Sequence, residues 1–297
     1  MSPDPLGRLK LRSGDLELEL VPGLGGAVAA YRQRREDGWA ALFRESPARP
    51  TDVLQTASFP LVPFCNRIRD GRFTFRGREI RLQPNLPPQP HPLHGQGWRN
   101  AWRLVEGSDS RAELAFAHPA GEWPWAYEAR QVFRLDEQGL EQTLSCRNLS
   151  DGPMPCGLGF HPFLDAPADT ILDTRVNGVW TVDDEIMPVN LEPPAGRYRL
   201  VGRSISGAGL DNGYEGWCGE ALISWPSRGG GVRISSEAPR FQVYAPASES
   251  ILCAEPVTNA NDVFSRPESQ WSALGIVILE PGEETALTAR FDPLPAR

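Results

Sequence analysis

Lysine is nearly missing from this 297-residue chain: of 30 basic residues only Lys10 is lysine, and the rest are arginines scattered along the sequence. With 38 acidic residues the net charge is −8, and no basic run occurs. Nucleic acid and anionic membrane surfaces are therefore excluded as partners, since both demand a cationic footprint. Long apolar runs are missing as well. Runs such as residues 274–279, six residues, fall far short of the about twenty that a membrane-spanning helix needs. The opening Met-Ser-Pro-Asp-Pro-Leu has neither the basic nor the apolar region of a signal peptide, so a cytoplasmic protein is expected. Cysteine is sparse: Cys65, Cys146, Cys156, Cys218 and Cys253 are odd in number, widely spaced and without a CxxC. That pattern excludes a zinc ribbon and a disulfide framework and fits reduced thiols.

Glycine and proline are plentiful, 29 of each. At that density helix after helix would break, which excludes bundles and coiled coils. Nine Trp and twelve Phe supply the apolar surface that a disordered chain lacks. Period-two alternation recurs: Leu16-Glu17-Leu18-Glu19-Leu20 is a half-buried strand pattern, and residues 73–75 and 79–82 read as a hairpin. Further strands are expected over 102–105, 113–117, 128–135, 140–147, 156–159, 221–225, 232–235, 240–244, 274–279 and 284–291, separated by Gly/Pro/Asp turns. Residues 191–195 read as a loop, and the Pro-rich stretch 84–92 as an active-site loop. No composition shift marks a boundary, so one all-β domain, a large antiparallel β-sandwich, is expected over 1–297.

Chemistry concentrates in three places. His91-Pro92-Leu93-His94-Gly95 closes the Pro-rich loop, and Gly159-Phe160-His161-Pro162-Phe163 follows a strand. The proline after His161 biases it to extended geometry at a strand edge. Glu255 ends the apolar run 251–254 and precedes Pro256. A carboxylate there is costly to bury without a role, and beside His94 and His161 it makes an acid–base set. For each residue alone a structural or surface role is the simpler reading, and His118 reads as a surface histidine. His91 and His94 are three apart, but the loop prolines give no one-face ligand geometry, so no metal site is expected. There is no GxSxG, Walker or GxGxxG spacing.

These segments together resemble the aldose 1-epimerases (galactose mutarotases). The resemblance rests on Leu24-Gly25-Gly26, Asn66-Arg67-Ile68 with Gly71-Arg72-Phe73, Leu93-His94-Gly95 with Trp98, Gly159–Phe163, Leu210-Asp211-Asn212, Phe241–Tyr244 and Cys253–Thr258. It implies a β-supersandwich and an isomerase that interconverts the anomers of a free hexose such as galactose or glucose. It further implies His161 as general acid on the ring oxygen, Glu255 as general base on the C1 hydroxyl and His94 as the second active-site histidine. Arg67 and Asp211 are implied as substrate-binding residues, with Asn85 and Gln242 as further polar pocket residues. Mutarotation moves one proton off O1 and one onto the ring oxygen, so a base and an acid suffice and no cofactor is expected. Trp98, Trp102 or Trp217 offers an aromatic face to a sugar, beside the core packing that any Trp supplies. His91 is given no family role. The chain departs from the usual pattern at Gln96 and at Val257-Thr258-Asn259-Ala260. Two other readings stand beside the first: a mutarotase for phosphorylated or other anionic sugars with Arg67, Arg69 and Arg99 as the anion clamp, and a non-catalytic sugar-binding protein on the same fold. The partner expected is a monosaccharide, and the assembly a monomer or homodimer.

Overall fold

The computed structural model describes residues 7–295; Met1–Leu6, the opening read above as leaderless, lie outside the described residues. Two large antiparallel sheets dominate. One has nine strands, running from Arg203–Ser204 at one edge through Gly231–Ser236, Glu284–Leu294 and Leu140–Asn148 to Arg103–Gly107 at the other. The second runs Pro188–Glu192, Gly178–Val182, Leu210–Glu215, Arg240–Ala245, Ile251–Val257, Gly159–Phe160 and Pro60–Leu61, with Phe163–Asp165 also paired to Ile251–Val257. A four-stranded sheet, Leu9–Ser13 to Gly38–Ala41, covers a flank. The single α-helix among the described residues, Glu268–Trp271, is one turn long. The all-β expectation therefore holds, and no helix is long and apolar enough to cross a membrane among the described residues.

The period-two patterns become strands, but residues 16–20, read as half-buried, are buried on both faces, because Glu17 is covered by Arg12 and Arg32. Tyr127–Leu135 and Leu140–Asn148 pair in register from Tyr127 opposite Asn148 to Leu135 opposite Leu140, and alternate residues are buried along both. Some elements differ from expectation. Residues 188–192 form an edge strand where a loop was expected over 191–195. Of 274–279 only Val277–Leu279 is strand, because Gly275 takes a left-handed φ of 91°. Residues 156–159 divide between Met154–Cys156 and Gly159–Phe160. Ala27–Arg35 escaped prediction: its first five residues are buried throughout, so no polar alternation marks it.

The second sheet positions the site. Phe241, Val243, Leu252 and Ala254 face the main apolar core. The pleat turns their neighbours Gln242, Tyr244, Cys253 and Glu255 to the opposite face. On that face a smaller apolar cluster gathers Phe59, Trp98, Phe163, Cys253 and Val257.

Candidate active site

Strand register brings the predicted residues into one row. Gln242 stands opposite Glu255 on the adjacent strand, and Asp211 opposite Tyr244 one strand further out. On the other side Gly159 faces Val257 and Phe163 faces Cys253, so His161, midway between, stands across from Glu255. Pro162 interrupts the pairing there, and the His161 N–H instead donates to the Phe59 carbonyl at 3.1 Å. Across the sheet the order is therefore Asp211, Gln242, Glu255, His161. These four, with Arg67 and His94, line a cavity of 720 Å³.

His161 Nε2 lies 3.4 Å from Glu255 Oε1. The Glu255 side chain is 2% exposed, and its second oxygen, Oε2, has no hydrogen-bond partner. Burial, then the nearby Asp211 charge, pushes the Glu255 carboxyl well above its ordinary range, while Arg67 pulls the other way. Burial also drives the His161 imidazole down, to about 3, reinforced by the Arg44 charge. Its ring is stacked on Phe59 at 4.5 Å and tilted against Phe163 at 4.7 Å. Both members of the pair are thus held where charge is unwelcome.

His94 reaches the cavity on a strained loop. Its φ is 59° and that of Gly95 68°, and a Cβ on residue 95 would run into the Val62 carbonyl, so only glycine fits after this histidine. The Asn66 N–H donates to His94 Nδ1 at 3.1 Å, which fixes the neutral tautomer with its hydrogen on Nε2. Burial and the charges of His161 and Arg67 hold its pKa well below 6.5. Arg67 Nη2 meets Asp211 Oδ2 at 3.2 Å, and Gln242 Nε2 donates to Asp211 Oδ1 at 2.7 Å. Asp211 is thereby oriented by two side chains.

Asn85 does not line the cavity. Its amide accepts from the Leu93 N–H at 2.8 Å and donates to the Leu93 carbonyl at 2.7 Å, so it braces the histidine loop from behind. Leu86 and Gln89 of the Pro-rich stretch do reach the lining. Of the aromatic candidates only Trp98 lines it, while Trp102 and Trp217 belong to the main core. His91 is fully buried and accepts from the Asp70 N–H at 3.0 Å, a structural role. His118 is half-buried, its Nε2 3.2 Å from the Trp123 carbonyl, rather than a free surface residue. Of the three arginines in the alternative anion-clamp reading, Arg67 lines the cavity, whereas Arg69, tied to Asp183 at 3.3 Å and Asp262 at 3.5 Å, and Arg99, over the Trp98 ring, are off the lining.

Sequence reasoning missed the segment that holds Arg67. Asn259 Oδ1, Asn261 Oδ1 and Asp262 Oδ1 accept in turn from the backbone N–H groups of Cys65, Arg67 and Arg69, at 3.0, 3.0 and 2.8 Å. The signal was present in the run of short amide and carboxylate side chains just after Thr258, residues that characteristically satisfy loop backbone. Among the described residues His161, Cys253 and Glu255 are the one group with the composition of a metal site, their ligand atoms within 4.8 Å of one another. The His91–His94 pair is not such a group, since backbone N–H groups occupy both Nδ1 atoms.

A buried carboxyl, a buried imidazole and an oriented Arg–Asp pair thus meet around one cavity on the face of a β-sheet. Residues 8–292 match the aldose 1-epimerase family, and the chain belongs to it. It is 32% identical to the uncharacterised protein YphB of Escherichia coli K12, over 93% of this chain and 94% of that protein. The Escherichia coli aldose 1-epimerase is 24% identical over 64% of this chain and 57% of that enzyme. Among solved structures, a candidate aldose 1-epimerase of Escherichia coli K12 superposes with a TM-score of 0.87 at 26% identity, covering 97% of this chain and 99% of that one. A galactose mutarotase-like protein of Clostridium acetobutylicum gives a TM-score of 0.85 at 17% identity, over 97% and 95% of the two chains, a likeness of fold alone.

Proposed function

We propose that the protein is a mutarotase, which opens and recloses the ring of a free hexose such as galactose or glucose. The observation that carries this reading is the 3.4 Å contact between His161 Nε2 and Glu255 Oε1, both buried on the cavity face of one sheet. Glu255 takes the proton of the C1 hydroxyl, the C1–ring-oxygen bond breaks as the C1 carbonyl forms, and His161 delivers a proton to the ring oxygen. Rotation about C1–C2 exposes the other carbonyl face. The same two groups, roles reversed, close the ring to the other anomer. The step uses glutamate and imidazolium, so the pair's one proton has to stand on His161, against the preference that burial alone sets. His94, its hydrogen fixed on Nε2, donates toward the ring oxygen, and Arg67, Asp211 and Gln242 bind hydroxyls on the C2 side. The residues of this site come from positions 67 to 255, which supports the whole chain acting as one domain.

Polarimetry on freshly dissolved α-anomers tests the proposal. Wild type is expected to speed anomer equilibration, Glu255→Gln to abolish the effect, and His161→Asn to reduce it by about 10²–10⁴ with the fold retained. Binding of a sugar with no acceleration would leave a non-catalytic binding protein instead.

A further inference from the structure

The cavity contains a cation that the scheme above leaves unused. Arg44 lines it, yet makes no ion pair among the described residues. Most arginines here whose pKa is displaced have it raised by a neighbouring carboxylate; Arg44 has it lowered by burial. Its Nη2 donates to the carbonyls of Leu54 and Thr56, at 2.6 and 2.7 Å, and its guanidinium lies 4.0 Å from the centre of the Phe163 ring. The group is therefore held in place, and among the described residues its Nη1 and Nε make no hydrogen bond to the protein.

Its place in the row gives those donors a target. Residues 54 and 56, which it grips, lead into Pro60–Leu61 at the sheet edge beyond His161. Arg44 thus stands on the opposite side of His161 from Glu255. If Glu255 marks O1 and His161 the ring oxygen, C2 and C3 lie toward Gln242 and Asp211, while C5 and its substituent C6 lie toward Arg44. We infer that Arg44 binds an acidic group at C6 and that the preferred substrate is a hexuronic acid; this rests on the mutarotase reading. With both Nη2 hydrogens committed to carbonyls, the Nη1 and Nε hydrogens remain to donate singly to carboxylate oxygens. A single charge beside Glu249, which also lines the cavity, favours a monoanion over a doubly charged phosphate.

Anomer exchange measured by NMR for glucuronate, galacturonate, glucose, galactose and glucose 6-phosphate tests this. Wild type is expected to show kcat/KM about tenfold or more higher for a hexuronate than for its parent hexose. Arg44→Gln should collapse that ratio toward one, and Arg44→Lys should retain part of it. Thermal unfolding checks the fold, because Arg44 also holds two carbonyls. If the Gln variant does not fold, the wild-type enzyme still decides: added salt should raise KM for the hexuronate and not for the hexose. Equal turnover of acid and neutral sugar overturns the inference, as does a preference for glucose 6-phosphate. If no sugar is anomerised, the mutarotase reading fails by itself. Calorimetric preference for glucuronate over glucose, lost in Arg44→Gln, would then still sustain the acid-group site, and its absence would end it.

Discussion

At the scale of single residues, Glu255 shows that the site is built at the expense of stability. Its folded pKa is raised by burial, so folding favours the protonated form. The cost of the ionised form grows as pH rises from the unfolded value, about 4.5, toward the folded one. Glu255→Gln is therefore expected to raise Tm by a few degrees, with a margin that widens from acid to neutral pH. His161 works in the opposite sense. Its imidazole is held near 3 when folded, so stability is lost as pH falls from 6.5, where the unfolded chain takes up a proton. Thermal melts across pH check both; a Glu255→Gln protein no more stable than wild type at neutral pH would show that the carboxylate is compensated. Both residues were legible in the sequence, one by its proline and the other by interrupting an apolar run. Arg44 was not, because its role depends on Phe163 and on two carbonyls that only the fold brings near.

At the scale of elements, function is held by segments with little regular structure. Asn261 links the Arg67 N–H to the Ile186 carbonyl, at 3.0 and 2.9 Å, and so joins a binding arginine to a hairpin tip on the cavity lining. Ile186 itself is held at a φ of 63°, which a β-branched residue does not adopt unless its surroundings enforce it. Asn261→Ala is expected to cost about 1–3 kcal/mol in denaturant unfolding, and to raise KM more than it lowers kcat, since Arg67 loses its backbone anchor. A KM unchanged from wild type would separate this brace from binding. Strands with one wet face were readable from alternation. The start of Ala27–Arg35, buried on both faces, was not, because no polar alternation marks it, and the Asn261 brace was not, because it and Arg67 lie 194 residues apart in sequence.

At the scale of the whole molecule, one sheet serves two purposes on its two faces. Phe241 points into the main core while its neighbour Gln242 binds Asp211 on the cavity side. Phe241→Ala is expected to lower stability by about 3–5 kcal/mol, with kcat/KM of the folded fraction little changed; kinetics that fall in step with stability would mean the two faces are coupled. The family was legible from short motifs because they mark the strand ends that meet in space, whereas Arg44 and Glu249 on the cavity lining were not, because they lie outside those motifs. That division has an evolutionary consequence. Glu255 sits on a strand whose reverse side is core, where a change of register would turn it inward. Arg44 belongs to a segment outside that strand, so selection can rewrite this end of the cavity without touching the sheet that carries Glu255.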